Sequence, residues 1–429
     1  MTDTPAPDTP GSDTPRSEDA GPDIISSTRS SARMIFAAGV AAADPRAGVA
    51  AQLDGPLAGQ TFARVIAVGK GARAMAAEAM AHLPPCAVLV VTNYENAAPL
   101  DGATVKAAGH PVPDDNGAEA ARAVEAALQG LGPDDRVLAL ISGGGSALLP
   151  APADGLSLAD KAEVSRLLLA SGAEITEMNL IRQQLSRLKG GGMLRAAAPA
   201  RVTALILSDV VGDDLRVIAS GPTVAPIGTR AQAMAALTAR GLWPQVPPAV
   251  RAYLARADDA QSTSPAAQNI LIGSNAISVK AMAQAAENAN VSQMPLEGDV
   301  ADAAARIIAE ATGPGTWLWG GETTVRLTGD GLGGRNQELA LRLALAGPQA
   351  NWGPFVFLSG GTDGRDGPTD AAGAIVDHTS LARMRQAGVD PQALLANNDS
   401  HAALAASGDL LMTGATGTNV ADLQVLIRL

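Results

Sequence analysis

Cysteine and histidine are scarce in this sequence. Cys86 is the only cysteine among 429 residues, which excludes an intramolecular disulfide framework and any CxxC metal site. We therefore expect a reducing compartment and predict a cytoplasmic location. The four histidines, His82, His110, His378 and His401, lie far apart and form no HExxH motif, so we do not expect a zinc site built from histidine.

Long apolar runs and clusters of basic residues are also missing. No stretch reaches the roughly 18 apolar residues of a membrane span, and the net charge of -12 comes without a basic run. We therefore expect neither membrane nor nucleic-acid binding. The first 23 residues are rich in Pro, Asp, Thr and Ser, which is not typical of a signal peptide. We predict that residues 1–28 form a disordered tail, because they offer little apolar surface to bury.

Aromatic side chains are few, with four Phe, four Trp and two Tyr, yet apolar residues make up 47 % of the chain. Ala, Leu and Val must therefore fill the core. The length exceeds that of one usual hydrophobic core and predicts two domains. Residues 242–265 contain several prolines and a polar stretch, so we place the boundary there, with domains at 29–260 and 261–429.

Short apolar runs alternate with Ala-rich helical segments, and most of the runs stop at a glycine cluster. The runs cover residues 65–68, 137–141, 204–207, 270–272, 316–319, 355–358 and 410–412. This alternation predicts an α/β fold in which largely parallel, doubly wound (Rossmann-like) sheets flank a cleft between the domains. Ligands of such sheets bind beyond the carboxyl ends of the strands, where the glycine clusters lie.

The first glycine cluster, Gly69-Lys70-Gly71, follows a strand and opens a helix. It nearly matches the dinucleotide fingerprint GxGxxG/A, so a dehydrogenase is a real alternative, although the next strand leads into Thr92-Asn93 rather than the ribose-binding acid. A lysine in a glycine turn at a helix N-terminus can instead bind an anion. A tight turn with a solvated lysine stays open as well.

A second cluster, Ser142-Gly143-Gly144-Gly145-Ser146, also follows a strand. Its glycines allow backbone amides to converge on phosphate oxygens, although close packing of helix on strand would also explain them. It is neither a Walker A loop nor a GxSxG nucleophile elbow. Lys189, before three further glycines, is either a phosphate-binding cation or simply a cation at a helix C-terminus.

Acidic residues follow two other strands. Asp209, Asp213 and Asp214 lie within six residues, and such a group of carboxylates can bind Mg²⁺ or accept a proton. We expect the side chain of Asp209 to be the one that points inward. For Asp213, capping of the following helix is an equal alternative. Asp363 lies in a glycine-spaced acidic loop that fails the EF-hand pattern, and we interpret the loop as a rigid support for one catalytic carboxylate.

The second half contributes further polar groups. Glu322 and Arg335 each follow a pair of glycines. The guanidinium of Arg335 can bind a phosphate or a carboxylate through two nitrogens, or it can form a structural ion pair with Glu322. Thr416 and Asn419 lie in a glycine-threonine loop that can hold an anion or form an empty turn. We therefore expect lysine, arginine, aspartate and unobstructed backbone amides at one edge of the sheets. This combination indicates a cleft that binds polyanions, which phosphoryl transfer requires.

At these motifs the chain, from about Ser30 to Leu429, resembles the class II glycerate 2-kinases, whose C-terminal half is called the MOFRL domain. The motifs that carry the resemblance are Val68 to Gly71, His110 to Asp114, Ser142 to Ser146, Leu185 to Gly191, Ser208 to Asp213, Gly334 to Glu338, Asp363 to Asp370 and Thr413 to Asn419. Ala415 and Ala421 depart from the usual proline and asparagine of the family.

The resemblance implies transfer of the γ-phosphoryl of ATP to the 2-hydroxyl of D-glycerate, giving 2-phosphoglycerate, with Mg²⁺. Its functional positions match Lys70, Asp209, Arg335 and Asp363. We further predict that ATP is bound by Gly69, Gly71, Ser142, Gly143, Gly144, Gly145, Ser146, Lys189, Glu322, Thr416 and Asn419, and Mg²⁺ by Asp209 and Asp213. An NAD(P)-dependent hydroxypyruvate reductase and a non-catalytic sugar-acid binding protein are the alternatives; a homo-oligomer is left open.

Overall fold

The computed structural model describes residues 21–257 and 266–429. The first half contributes the strands β1 (Arg64–Val68), β2 (Ala87–Asn93), β3 (Ala103–Ala108), β4 (Arg136–Ile141), β5 (Arg201–Leu207) and β6 (Gln268–Gly273). They form one sheet in the order β3-β2-β1-β4-β5-β6, and every pair is parallel. The order reverses between β1 and β4, which is the switch point where doubly wound sheets bind ligands.

Helices cover both faces of this first sheet. The helices of the first half are α2 (Pro45–Leu53), α3 (Ala72–His82), α4 (Asp115–Leu128), α5 (Gly145–Leu148), α6 (Leu158–Ala170), α7 (Ile175–Gln184), α8 (Gly192–Ala197), α9 (Arg230–Ala239) and α10 (Pro248–Leu254). Alternate strand residues face opposite helices: Ile66 and Val68 pack with α4 and α8, whereas Val65 and Ala67 pack with α2 and α3. Helices α6, α7, α9 and α10 form a separate small cluster.

The second sheet consists of β7 (Asn290–Val291), β8 (Leu296–Asp299), β9 (Gly315–Thr324), β10 (Phe355–Gly361), β11 (Gly373–Asp377), β12 (Leu410–Leu411) and β13 (Asp422–Arg428). Its order is β12-β11-β10-β13-β9-β7, with β8 also on β9. One face packs on α12 (Val300–Glu310), α13 (Arg335–Ala346), α14 (Ser380–Gln386) and α16 (Ser400–Ser407); the other packs on α1 (Pro22–Ala42) and α11 (Asn275–Ala285). Helix α15 (Pro391–Ala396) lies beside α16.

The α/β class and the parallel sheet of the first half are confirmed. The second sheet differs from the largely parallel arrangement we predicted, since its central strands β9, β13, β10 and β11 pair antiparallel. Buried apolar runs look alike in both arrangements, because strands covered on both faces lose the alternating pattern. The sheets are nevertheless covered on both faces, as predicted.

The two predicted domain boundaries also differ from the structure. Residues 22–28, predicted to be disordered, begin α1, because Ile25 and Thr28 are buried at the second sheet. The remainder of the predicted tail, residues 1–20, lies outside the described residues. β6, on the far side of the boundary predicted at residue 260, pairs with β5 and completes the first sheet.

No single helix in residues 21–257 and 266–429 is long and apolar enough to cross a membrane. Helices α1 and α2 reach that length and composition only together, with a bend of 52° between them.

Candidate active site

Lys70 lies at the switch point of the first sheet, in a turn between β1 and α3. The amide of Lys70 donates to the carbonyl of Gly143 (2.9 Å), and the amide of Gly71 donates to the hydroxyl of Ser142 (3.0 Å). Gly69 has φ +124°, and a Cβ there would lie 2.2 Å from Ser142 Oγ, so only glycine allows the two turns to touch. The exposed side chain of Lys70 is thus fixed beside the second glycine cluster.

The second cluster connects β4 to α5. Gly144 is left-handed (φ +84°) and caps α5, so the first amides of α5 have no carbonyl partner within the helix. A Cβ on Gly143 would lie 2.3 Å from Asp209 Oδ2, and one on Gly144 would lie 3.3 Å from Lys70 Cγ. The cluster therefore has no room for side chains of its own, and its backbone lies directly beside Asp209 and Lys70.

Asp209 follows β5 and faces this cluster. Burial raises the pKa of its carboxyl above the ordinary value, against the opposing effect of Lys70 and of the Gly144 amide, which donates to it. Glu322 of the second sheet also raises this pKa through charge repulsion. Groups from the two halves of the chain therefore meet at Asp209.

The buried side chain of Lys189 contacts Ser146, a residue of α5. Lys189 donates to the carbonyl (2.8 Å) and hydroxyl (2.9 Å) of Ser146, whose hydroxyl also bonds Ser220 (2.9 Å). Burial and the nearby Arg182 lower the pKa of Lys189 to about 7. Ser142 and Lys189 are both buried, so the contacts shown for them support the loops rather than open towards the cleft.

Arg335 is the first residue of α13 in the second half. Its guanidinium binds both oxygens of Asp422 (2.6 and 2.9 Å) and one oxygen of Glu322 (2.9 Å). Burial raises the pKa of Asp422 to about 6, while the guanidinium opposes that rise, so the carboxyl is ionised at neutral pH. The predicted pair between Arg335 and Glu322 is present, but Asp422 is the buried partner.

Asp366 fixes the start of α13. Its carboxylate accepts from the amides of Asn336 (3.1 Å) and Gln337 (2.8 Å) and from both side-chain amides. A Cβ on Gly334 would lie 2.3 Å from the Asp366 carboxyl carbon, so the helix begins only with a glycine at this point. The position of Arg335 thus depends on a buried acid that is 31 residues further along the chain.

The two loops that follow β10 and precede β13 are bonded to each other. Asp363 accepts from the amide of Arg365 (3.0 Å), and Thr416 donates its hydroxyl to the carbonyl of Thr362 (2.5 Å). Asn419 accepts from the amide of Ala421 (3.2 Å). These bonds give Asp363, Thr416 and Asn419 local roles in the loops, and their contact with a ligand stays a prediction.

Asn275 joins the two sheets. It follows β6, and its side-chain amide donates to the carbonyls of Val420 and Asp422 (both 2.9 Å). The carboxyl end of β6 is therefore bonded to the segment of Asp422, and the charge of Glu322 acts on Asp209 of the first sheet.

Mg²⁺ can be tested against the residues present. Asp213 Oδ1 is buried and has no hydrogen-bond partner among the described residues, and a bound cation would stabilise its charge. No group of three or more His, Cys, Asp or Glu in the described residues could hold a metal alone. Mg²⁺ usually takes one or two carboxylates together with substrate phosphates and water, so Asp209 and Asp213 fit this ion.

The structure brings Lys70, Gly143, Gly144 and Asp209 together and places Glu322 and Arg335 opposite them. Four residues of this region were given no site role from the sequence, although two of them lie in the motifs named above: His110, Asn275, Asp366 and Asp422. His110 packs on Gly144 and Lys70, and burial and Lys70 lower its pKa. A charged residue at the start of an otherwise apolar strand was the available signal for Asp422, whereas Asn275 carried none.

Comparison with known proteins agrees with this architecture. Residues 31–255 match a family model described as a domain of unknown function (DUF4147), and residues 315–422 match the MOFRL family. A protein of Agrobacterium vitis, provisionally named a hydroxypyruvate reductase, is 42 % identical over 94 % of both chains. A D-glycerate 2-kinase of Thermotoga maritima is 40 % identical over 84 % of this chain and 89 % of its own.

Solved structures give the same result. A crystal structure of glycerate kinase from Thermotoga maritima has a TM-score of 0.86 and 37 % identity, covering 94 % of this chain and all of that one (100 %). Among sequence relatives, human glycerate kinase is 41 % identical over 73 % of this chain and 71 % of its own. The chain therefore belongs to the MOFRL-containing glycerate kinase family.

Proposed function

We propose that this kinase transfers the γ-phosphoryl group of ATP to the 2-hydroxyl of D-glycerate and releases 2-phosphoglycerate. The observation that carries the proposal is the junction of Lys70, the glycine cluster at residues 143–145 and Asp209, faced by Arg335. The names of the relatives support the substrate, and a D-glycerate 2-kinase among them supports the 2-hydroxyl.

The phosphates of ATP bind at the first sheet in this proposal. Backbone amides at the start of α5 donate to phosphate oxygens, and Lys70 supplies a positive charge on the same side. The cluster holds no side chain that would obstruct a triphosphate. Burial and Lys70 lower the pKa of His110, which packs against the same glycine, and this favours its neutral form.

Glycerate binds between the sheets, with its carboxylate at Arg335. Two guanidinium nitrogens of Arg335 are occupied by Asp422, but the side chain is still 33 % exposed and its third contact is with the half-exposed Glu322. An anionic ligand can therefore displace Glu322 without breaking the buried pair. The 2-hydroxyl then lies towards Asp209.

Asp209 orients the hydroxyl and accepts its proton. Its raised pKa improves its strength as a base compared with an ordinary aspartate, and Lys70 beside it holds the ionised form. Asp213, with Asp209 as a second ligand, would hold Mg²⁺; when bound, the ion neutralises charge on the phosphates. Lys70 and Arg335 supply the fixed positive charge on either side of the transferred group.

The direct test is an assay of the purified protein with ATP, Mg²⁺ and D-glycerate, with the product identified by phosphorus NMR. We expect ADP and 2-phosphoglycerate. A 3-phosphoglycerate signal would contradict the regiochemistry alone, and the absence of any phosphorylated product would contradict the proposal.

Lys70→Ala sharpens this test. We expect kcat/KM to fall by about 10²-fold or more, because one charge on the phosphates is lost, with little change in the melting temperature, since the Lys70 side chain is exposed. Lys280→Ala, at an exposed position of α11, is the matched control and should keep full activity. Equal activity of both variants would reject the role of Lys70.

A hydroxypyruvate reductase is the second candidate, because a close relative is provisionally named so. At the end of β2, however, Asn93 stands where a ribose-binding acid is expected, and its amide holds the carboxylate of Glu95 (3.4 Å). Consumption of NADH or NADPH with hydroxypyruvate would favour this candidate. The cytoplasmic location and the oligomeric state stay predictions.

A further inference from the structure

Tyr94 is the only exposed aromatic residue in the chain. All four Phe, all four Trp and both Tyr lie in the described residues, and the other nine rings are buried or partly buried, whereas Tyr94 is 55 % exposed. An exposed aromatic ring offers a π surface on which a flat ligand can stack.

The hydroxyl of Tyr94 is held on two sides. It donates to the carboxylate of Asp114 and accepts from the side-chain amide of Asn116 (2.7 Å). Asp114 is itself fixed, because it caps α4 by accepting from the amide of Gly117 (2.9 Å). The ring is thus anchored at its hydroxyl end although the residue is 55 % exposed, so little conformational freedom is lost when a flat ligand binds.

Tyr94 lies at the same sheet edge as the glycine cluster. It follows β2, the neighbour of β1, and comes directly before Glu95, whose charge acts on His110. A Cβ on Gly144 would lie 3.1 Å from the ring of His110 and 3.3 Å from Lys70 Cγ. Thr92, two residues before Tyr94, donates its hydroxyl to the carbonyl of Lys70 (3.4 Å), so the segment that carries Tyr94 lies beside the turn of Lys70 and the glycine cluster.

We propose that the ring of Tyr94 is the platform on which the purine base of the nucleotide donor stacks while its phosphates occupy the glycine cluster. Neither glycerate nor Mg²⁺ has a flat π face, whereas every nucleobase has one, and stacking on an aromatic side chain tolerates different bases. This inference rests on the proposed kinase function and names Tyr94 as the residue that binds the base of the donor.

The test compares two probes, Mg-ADP and inorganic tripolyphosphate, in binding to the whole protein by calorimetry. Tyr94→Ala should weaken Mg-ADP binding by about tenfold, the loss expected for one stacked base, and leave tripolyphosphate binding unchanged. Tyr94→Phe keeps the ring but loses both hydrogen bonds, and Tyr94→Leu keeps apolar bulk without a π face. We expect near wild-type Mg-ADP affinity for Tyr94→Phe and a loss for Tyr94→Leu.

The outcomes separate the two proposals. If Tyr94→Phe is as damaging as Tyr94→Ala, or if Tyr94→Ala weakens both probes equally, the ring only supports the loop and the inference is overturned while the kinase proposal stands. Unchanged Mg-ADP binding by Tyr94→Ala overturns it as well. If the unaltered protein binds tripolyphosphate but no nucleotide, both proposals fail together. In kinetics, Tyr94→Ala should raise the KM for ATP and leave the KM for D-glycerate unchanged.

Discussion

Asp209 is subject to opposing electrostatic effects. Burial and the repulsion of Glu322 disfavour its charge, whereas Lys70 and the amide of Gly144 stabilise it. The net result is a carboxyl whose pKa is raised above the ordinary value of an aspartate, chiefly by burial. Such a group can accept a proton from a hydroxyl more readily than an ordinary exposed aspartate.

Asp209→Asn should therefore lower kcat by roughly 10²-fold to 10⁴-fold, the range typical of a lost general base. In the unaltered protein kcat/KM should rise with pH through the raised pKa of Asp209, because the base must be deprotonated, and this acidic limb should vanish in the variant. Steady-state kinetics across pH measure both effects. If instead excess Mg²⁺ restores the variant, Asp209 acts only as a metal ligand and its role as the base is rejected.

Asp213→Asn is the companion variant. Because Asp213 Oδ1 has no partner in the described residues, its amide replacement should chiefly raise the Mg²⁺ concentration needed for half-maximal rate.

At the scale of elements, α13 begins where Asp366 holds it. Asp366→Ala removes four hydrogen bonds and leaves buried amides unpaired, so we expect unfolding to become easier by about 2–4 kcal/mol. Activity should fall as well, since Arg335 is the first residue of the helix. Asp390→Ala, which caps the short peripheral helix α15, is the control: some stability should be lost but kcat should stay unchanged. Denaturant unfolding and kcat together check this.

The buried side chain of Lys189, which contacts α5 through Ser146, should make the free energy of unfolding depend on pH. Its pKa is about 7 in the folded protein and 10.5 in the ordinary state, so between these values the unfolded chain binds more protons. Stability conferred at this site should therefore increase as pH rises from about 7 towards 10, and stay flat below 7. The difference in unfolding free energy between the protein and Lys189→Met isolates this effect. A difference independent of pH would show that Lys189 is not buried as described.

The elements themselves were largely predictable from the sequence, because apolar runs that stop at glycines indicate strand ends. Gly69 and the 142–146 cluster were found for this reason, and the structure places them at one switch point. Strand direction in the second half was not predictable, since a buried strand has the same composition in either direction. Asp366 and Asp422 were missed because their partners lie 29 to 87 residues away, beyond any local pattern.

At the scale of the whole molecule, the first helix belongs to the second half. Arg29 of α1 binds the buried carboxylates of Asp377 (2.5 Å) and Asp409 (3.0 Å). These acids are almost fully inaccessible to solvent, so removing a cation leaves buried charge that Arg383 only partly compensates.

Arg29→Ala should therefore destabilise the second sheet by about 2–4 kcal/mol. Hydrogen exchange should speed up in β10 and β11 and stay unchanged in β1 and β4 of the first sheet. Arg46→Ala, an exposed position of α2, should change neither. Equal acceleration in both sheets would mean that the two halves open as a single unit.

The position of β13 has a consequence for folding during synthesis. The last strand of the chain lies in the middle of its sheet, between β9 and β10, and the first described helix covers the same strands. During synthesis, the first sheet is complete once β6 has left the ribosome, whereas the surface that α1 covers, formed by α11, β10 and β13, is complete only when β13 emerges. The second sheet is therefore complete only after β13 has been made: a chain shortened at Asp422 would lose the buried partner of Arg335 together with the centre of the sheet.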